Sequence, residues 1–512
     1  MVEVLQCAVY SMFANLLLGV LACVLAWLFF RWRKVKLYWA IRDVAHQPPH
    51  FIWGSLTFLQ QKNVGLWMKE MYSRLEYPYV GIWLFWRPAL IVNCPEIGKR
   101  ILSKDSEVFR DRFLRSGKTD PIGHNLFTVK DPFWSTLRNQ LNPAFTQAHL
   151  RSLHSLLFRK SKQLVQRINE DNTAKKIINL RMVYADFVTD VIGTAAFGVS
   201  SDATLTGDSP MRTVTKDLMN LGPWRGMAWS SIFFFPELTD FFGFTMFPKR
   251  STDHFTKIFQ SVAKKRSVEG SDKKDLMDAL LKIQQDAKKT GGEINDEVLI
   301  AQAAIFLQAG FNTTATVLTF ATYELAYHLE AQEKLYKEIV ELKQSLGEKD
   351  IHCDDLVNLT YMTCVINETL RKYPPMGFLD RVAATDYKID KNLTIPAGIP
   401  IYINAIGIHY DPKYFPEPEK FKPERFLPGN VRNIQPNTFL PFGDGPRRCI
   451  GQNFGDINIR YALALILLNY LLRPLPGTPK PNDCEIEKNA IFFMPSGMMP
   501  VEFVQRNKEL VF

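Results

Sequence analysis

The chain has 512 residues, 46% of them hydrophobic, and its 62 lysines and arginines against 52 aspartates and glutamates give a net charge of +10. That length holds one large domain with an appendage, or two or three ordinary domains, and the apolar content is ample for a core. Seven scattered cysteines without a Cys-x-x-Cys pair exclude a disulfide scaffold and a zinc site of the usual spacing, and the basic surplus, with no RRM, KH or zinc-finger pattern, points to anionic lipid or an acidic protein and away from nucleic acid.

Residues 4–30 carry no charge, a run longer than the ~20 residues that span a bilayer. Arg31, Arg33, Lys34 and Lys36 follow at once, with Trp27, Trp32, Tyr38 and Trp39 placed for the interface. A cleaved secretory signal would have a basic start, a shorter apolar core and a small-residue cleavage site; this segment lacks them and reads as an uncleaved anchor. Its basic C-terminal flank predicts that everything after it faces the cytosol. The expected organisation is an anchor over 1–32, a basic flank and stiff linker with Gln47-Pro48-Pro49-His50 over 33–54, and one compact domain over 55–512.

Within that domain, apolar residues recur at three-to-four spacing over 129–157, 161–170, 183–197, 211–221, 295–342 and 356–371, which predicts helices. β-Branched and aromatic residues cluster over 79–85, 89–92, 387–389 and 401–403, which predicts short strands. The fold class is therefore mainly α with a small β region. Between Trp224 and Pro248 lie Phe233, Phe234, Phe235, Phe241, Phe242, Phe244 and Phe247, with Pro223, Pro236 and Pro248 breaking any long helix. We read them as an apolar patch dipping into the membrane beside the anchor, against the alternative of an aromatic core loop.

Five motifs carry chemistry, in chain order. Trp134-Ser135-Thr136-Leu137-Arg138 sets a ring and a guanidinium one turn apart on a helix face. Gln308-Ala309-Gly310-Phe311-Asn312-Thr313-Thr314 lies inside the long 295–342 pattern. Its small residues allow a large flat group to approach, and Thr313 can offer its hydroxyl to a ligand or water as well as to its own backbone. Glu368 and Arg371 stand at i,i+3, followed by Tyr373-Pro374-Pro375, Arg381 and then Pro423-Glu424-Arg425-Phe426. The fifth motif, Phe442-Gly443-Asp444-Gly445-Pro446-Arg447-Arg448-Cys449-Ile450-Gly451, puts one cysteine between glycines, beside two arginines, ahead of an apolar helical run over 450–471. The glycines let the backbone fold against a flat ligand. Positive charge and helix N-terminal N–H groups favour the thiolate, which can serve as the axial ligand of haem iron.

The spacing Phe-x-x-Gly-x-Arg-x-Cys-x-Gly and the order of the other motifs resemble the cytochrome P450 superfamily from the anchor to the C-terminus, nearest its microsomal insect detoxifying and vertebrate drug-oxidising forms; Phe109-Arg110-Asp111 and Asn142-Pro143-Ala144-Phe145-Thr146 add an insect flavour. The resemblance implies the cytochrome P450 fold behind a single N-terminal transmembrane helix, and haem b with Cys449 as the iron ligand. Phe442 would belong to the haem-binding loop, and Trp134, Arg138, Arg381 and Arg447 would hold the propionates. Thr313 and Asn312 would manage protons. Asn312 departs from the family pattern, which has Asp or Glu there; asparagine orients water but does not ionise. Glu368, Arg371 and Arg425 would form a buried structural ion network.

By family position the substrate pocket would draw on Phe127, Phe306, Ala309, Thr314, Met376, Phe378 and Phe492, offering no cation to an acid and no carboxylate to an amine. The implied activity is a monooxygenase of the endoplasmic reticulum membrane, catalytic domain in the cytosol, acting on small lipophilic substrates: xenobiotics, plant toxins, insecticides, terpenoids or lipid-derived signals. NADPH would supply electrons indirectly, through a flavoprotein reductase, with cytochrome b5 as a candidate second donor. An isomerase or dehydratase acting on a peroxide keeps the haem without a reductase; Thr313 argues against it, and Asn312 leaves it some room. A haem-binding protein without catalysis needs fewer motifs than are present.

Overall fold

The computed structural model describes residues 2–199, 201–271, 273–289 and 294–506. Helix α1 (Val2–Lys36) ends on Arg33, Lys34 and Lys36. An apolar stretch inside residues 10–42 has a mean hydropathy of 2.4 and no part of it is buried, so α1 is long and apolar enough to cross a membrane.

The basic flank is not a free linker. Val35, Trp39 and Val44 are buried in a core shared with the sheet. The indole N–H of Trp39 donates to the Ile82 carbonyl at 3.0 Å, and that of Trp83 donates to the Val35 carbonyl at 3.0 Å. Gly81 makes this docking possible, because a Cβ there would sit 2.4 Å from the Trp39 ring. Trp39 is thus core, and not an interfacial anchor. His46 bridges to Gly81 beyond it.

The main sheet has four strands: β1 (Tyr79–Leu84), β2 (Arg87–Val92), β3 (Leu379–Val382) and β4 (Pro400–Ile403), in the order β1-β2-β4-β3. β1 and β2 form an antiparallel hairpin, β2 runs parallel to β4 with Leu90 opposite Ile401, and β3 is antiparallel to β4. Two small antiparallel pairs, Tyr387–Lys388 with Thr394–Ile395 and Tyr470–Pro474 with Val501–Gln505, stand apart from it, and most of the remainder is helical. The apolar pattern over 129–157 is not one helix. It breaks into α2 (Phe133–Leu141), a 3-10 turn at Asn142–Phe145, a short helix at Gln147–Ser152, and α3 (His154–Thr173). Pro143 lacks the N–H an α-helix interior needs, and Thr146 caps the restart by accepting from the His149 N–H. Helix α4 (Leu180–Phe197) follows.

The 295–342 pattern also splits, into α5 (Asp296–Tyr327) and α6 (Leu329–Leu346). His328, at φ −123° and ψ 72°, makes the break, and its ring Nδ1 lies 3.2 Å from the Glu324 carboxylate. Two shorter helices, α7 (Cys353–Val357) and α8 (Thr360–Lys372), precede β3, and α9 (Gln452–Asn469) starts three residues after Cys449. Helix α5 is the axis of the fold, packed on α4, α8 and α9.

Five of the seven phenylalanines at 233–247 are core: Phe233, Phe234, Phe235, Phe244 and Phe247 are buried. Only Phe241, 80% exposed, and Phe242 face outward, beside the exposed Trp224. The expected membrane patch therefore reduces to those two rings.

Candidate active site

Between Leu299 and Ala326, α5 is buried at every residue except Phe306, Ala309, Gly310 and Thr313. That i, i+3, i+4, i+7 stripe lies along one helix face, in the middle of a helix otherwise buried there, so it opens on space inside the fold. The first turn of α9 passes beneath: a Cβ on Gly455 would lie 3.4 Å from Thr314 Oγ1. Cys449, just ahead of α9, is solvent-accessible. Yet desolvation is the largest influence on its thiol, as expected for a side chain opening on an enclosed space.

The loop that presents Cys449 depends on two left-handed glycines, Gly443 at φ +73° and Gly445 at φ +72°. A Cβ on Gly445 would sit 1.9 Å from the Leu102 carbonyl oxygen, so no other residue fits. The Cys449 N–H donates to the Phe442 carbonyl at 3.0 Å and closes the loop. Burial pushes the thiol up, against the Gly451 N–H and the charges of Arg138, Arg112 and Arg448, which pull it down. The expected pull of positive charge and a backbone N–H toward the thiolate is present, but burial outweighs it, and a bound metal deprotonates a thiol so placed.

Cations rim the void without enough anions to balance them. Arg447 pairs with Asp111 at 3.0 Å, donates to the Arg110 and Val129 carbonyls at 2.9 and 3.2 Å, and stacks on the Trp134 ring at 3.9 Å. Among the described residues no carboxylate lies within ion-pair distance of Arg112, Arg138 or Arg381. Arg112 reaches only the Phe127 and Arg447 carbonyls, both at 3.4 Å, and the Phe127 ring; Arg381 reaches the Asp380 carbonyl at 2.7 Å. Burial, then repulsion from Arg112, brings Arg381 down to about 10 and Arg447 to about 9, and burial brings Lys130 to about 8. Desolvated cations short of partners call for a multiply charged anion. A flat group with two carboxylates and an iron atom over Cys449 meets that demand, so these residues fit haem. Arg112 and Lys130 were not among the sequence candidates; the only signal was Arg112 standing directly after the Phe109-Arg110-Asp111 segment.

On the α5 side, Thr313 Oγ1 donates to the Ala309 carbonyl at 2.7 Å, leaving its lone pairs toward the void. Asn312 is only 7% exposed, and its side chain makes no hydrogen bond among the described residues. Gly310 serves a different contact from the one expected of it: a Cβ there would meet Ile192 Cδ1 of α4 at 2.6 Å, so the close approach is helix to helix.

Phe127, Phe306, Met376 and Phe492 are partly buried and Ala309 is open. Phe306 packs on Phe145 at 5.1 Å and Phe492 on Trp229 at 5.8 Å. Two pocket candidates lie elsewhere. Phe378 is wholly buried among Phe233, Phe234 and Tyr402, with ring centroids 5.7–5.8 Å away. Thr314 points at Gly455 of α9.

Behind the cysteine loop, Glu368 accepts from Arg371 Nε and Nη2, both at 2.8 Å, from the Lys422 N–H at 2.9 Å and from Arg425 Nε at 3.3 Å. Arg371 also donates to the His409 and Pro418 carbonyls. His409, absent from the sequence candidates, ties this network to the chain entering the loop. Its Nε2 accepts from the Leu440 N–H at 2.9 Å, so Nδ1 carries the proton and donates to the Arg371 carbonyl at 3.1 Å. Burial, then the Arg371 charge, holds His409 neutral and brings it down to about 3.

A sequence model described as Cytochrome P450 matches residues 45–499. The chain is 32% identical over 495 residues to Cytochrome P450 6k1 of Blattella germanica, covering 92% of this chain and 94% of that one. It is 32% identical over 465 residues to Cytochrome P450 6A1 of Musca domestica, with 88% and 90% covered, and 31% identical over 493 residues to Probable cytochrome P450 6g2 of Drosophila melanogaster, with 91% and 94% covered. The chain belongs to the cytochrome P450 family and is a haem monooxygenase.

Proposed function

We propose that this cytochrome P450 is held by α1 in the endoplasmic reticulum membrane with its catalytic domain in the cytosol, and that it inserts one oxygen atom from O2 into small lipophilic molecules, xenobiotics among them. Electrons would come from NADPH through a flavoprotein reductase, with cytochrome b5 as a second donor. The observation that carries this reading is the Cys449 thiol in the field of Arg112, Arg138 and Arg448, just ahead of α9, which packs on α5 beside its open Ala309–Thr313 face.

Thiolate-ligated haem, when bound, supplies the activation of dioxygen and favours O–O cleavage. Cys449 would bind the iron, steadied by the Gly451 N–H, and Arg112, Arg138, Arg381 and Arg447 would take the two propionates. Thr313, its own proton engaged on Ala309, accepts a hydrogen bond from a water and holds that water against the void; its hydroxyl swings off Ala309 to pass a proton on. Asn312 orients a second water through its unpartnered amide without ionising. Phe127, Phe306, Met376 and Phe492 exclude bulk water and select apolar substrates by burial.

The test reconstitutes the protein with reductase and lipid. A panel of lipophiles is first screened for displacement of iron-bound water, seen as a spin-state change. Those that bind are then turned over with NADPH under isotopically labelled O2. One labelled oxygen atom per product supports the proposal. Conversion of a hydroperoxide without NADPH and without O2 uptake would replace it with the isomerase reading.

A further inference from the structure

Three metal-ligating side chains stand in a row where α7 begins, and their donor atoms all lie within 4.8 Å of one another: His352, Cys353 and Asp354. Cys353 Sγ is 3.4 Å from His352 Nδ1, and a carboxylate oxygen of Asp354 is 3.7 Å from the same nitrogen. Tetrahedral zinc, with zinc–sulfur near 2.3 Å and zinc–nitrogen or –oxygen near 2.0–2.2 Å, requires ligand-to-ligand edges of roughly 3.4–3.6 Å. The sulfur–nitrogen edge is therefore already set, and turning the exposed Asp354 side chain closes the other two.

The surroundings favour a cation. His154 of α3 lies over His352 with ring centroids 4.3 Å apart, and its Nδ1 is fixed 2.7 Å from the hydroxyl of Tyr461 on α9. Asp354 and Asp355 offset the positive field at the start of α7. Two cations stand nearby: Arg151 on Asp354 at 2.9 Å and Lys162 on Asp350 at 3.6 Å. Both are exposed and retract easily. A metal would displace two long contacts at His352 Nδ1: the Cys353 thiol at 3.4 Å and the Asp354 N–H at 3.3 Å, the second of which caps α7.

One thiolate, one imidazole and one carboxylate suit a borderline ion; calcium and magnesium need all-oxygen shells. We propose that His352, Cys353 and Asp354 bind one zinc-class divalent cation, with water or His154 in the fourth position, at a site separate from the haem pocket. With His154 as fourth ligand the ion would tie the start of α7 to α3.

The experiment uses the full, untagged, haem-loaded chain, in which Cys449 is occupied. Zinc sulfate is titrated against a fluorescent chelator, and zinc K-edge X-ray absorption, which is blind to the haem iron, reads the shell. The expected result is one zinc per chain, with one sulfur at about 2.3 Å and the remaining ligands nitrogen or oxygen at about 2.0–2.2 Å. Cys353→Ser should weaken binding at least tenfold and remove the sulfur scattering. Asp354→Asn, at an exposed position that leaves packing intact, should weaken it several-fold, and Cys484→Ser should change nothing. No bound zinc, a shell without sulfur, or sulfur persisting in Cys353→Ser would overturn the proposal.

Discussion

Glu368→Gln isolates the charge of the network behind the cysteine loop. The amide has the volume of the carboxylate, so no cavity forms. What is lost is the negative charge facing Arg371, which is wholly buried, and Arg425, which is nearly so. One amide edge would also turn an N–H toward an arginine N–H that now donates at 2.8 Å. Breaking a buried pair by removing one partner costs about 3–5 kcal/mol. Arg425 keeps some contact with water and Arg371 keeps its carbonyl partners, which places the cost near the lower end, about 3 kcal/mol. At 1.4 kcal/mol per tenfold this lowers the folded-to-unfolded ratio by ~10²-fold, a large part of the about 5–15 kcal/mol that holds a domain folded. Urea unfolding of the haem-loaded protein, followed by Soret absorbance and tryptophan fluorescence, should show an earlier midpoint and haem lost before the fold melts. An unchanged midpoint with full haem content would refute the assignment of the network as load on the loop.

His409 gives a pH dependence with a definite sign. It is neutral in the folded protein down to about 3, whereas in the unfolded chain it takes a proton below ~6.5; stability is therefore full above that value and is lost as pH falls toward 3, by ~2 kcal/mol at pH 5. His409→Gln should flatten that part of the profile of urea midpoint against pH, and an unaltered slope would contradict it. Gly445→Ala, forced onto the Leu102 carbonyl at a left-handed φ, should cost more than about 2 kcal/mol and lower the haem-to-protein ratio on purification, while Gly429→Ala, with nothing within 4 Å, should not. Thr313→Ala should raise the peroxide released per NADPH several-fold with haem binding intact. Asn312→Glu should leave coupling equal or improved, and its collapse would mean that the amide is tuned to a particular proton route.

Local features were the legible ones. The cysteine loop is contiguous, so its glycines, Arg447 and Cys449 announce their geometry from spacing alone, and Glu368 with Arg371 stand one turn apart on α8. Arg112, Lys130 and His409 are brought in from loops and a short helix that only the tertiary fold carries to the site. The split of the 295–342 pattern at His328 was hidden because the apolar spacing continues across the break, as Leu325 and Leu329 show. Phe378 and Phe492 are the same residue type near the same site, yet one is core and the other is half-open. Trp39 follows a basic flank as an interfacial tryptophan would, and only Gly81, 42 residues later, reveals the slot it fills.

The most direct test of the central claim is the absorption spectrum of the dithionite-reduced protein under carbon monoxide, for the wild type beside Cys449→His. The wild type should give the red-shifted Soret band of a thiolate-ligated haem. Cys449→His should move the band to the imidazole-ligated position and abolish NADPH-dependent turnover. A thiolate-type band that survives in Cys449→His, or turnover that does, would place the iron on another ligand.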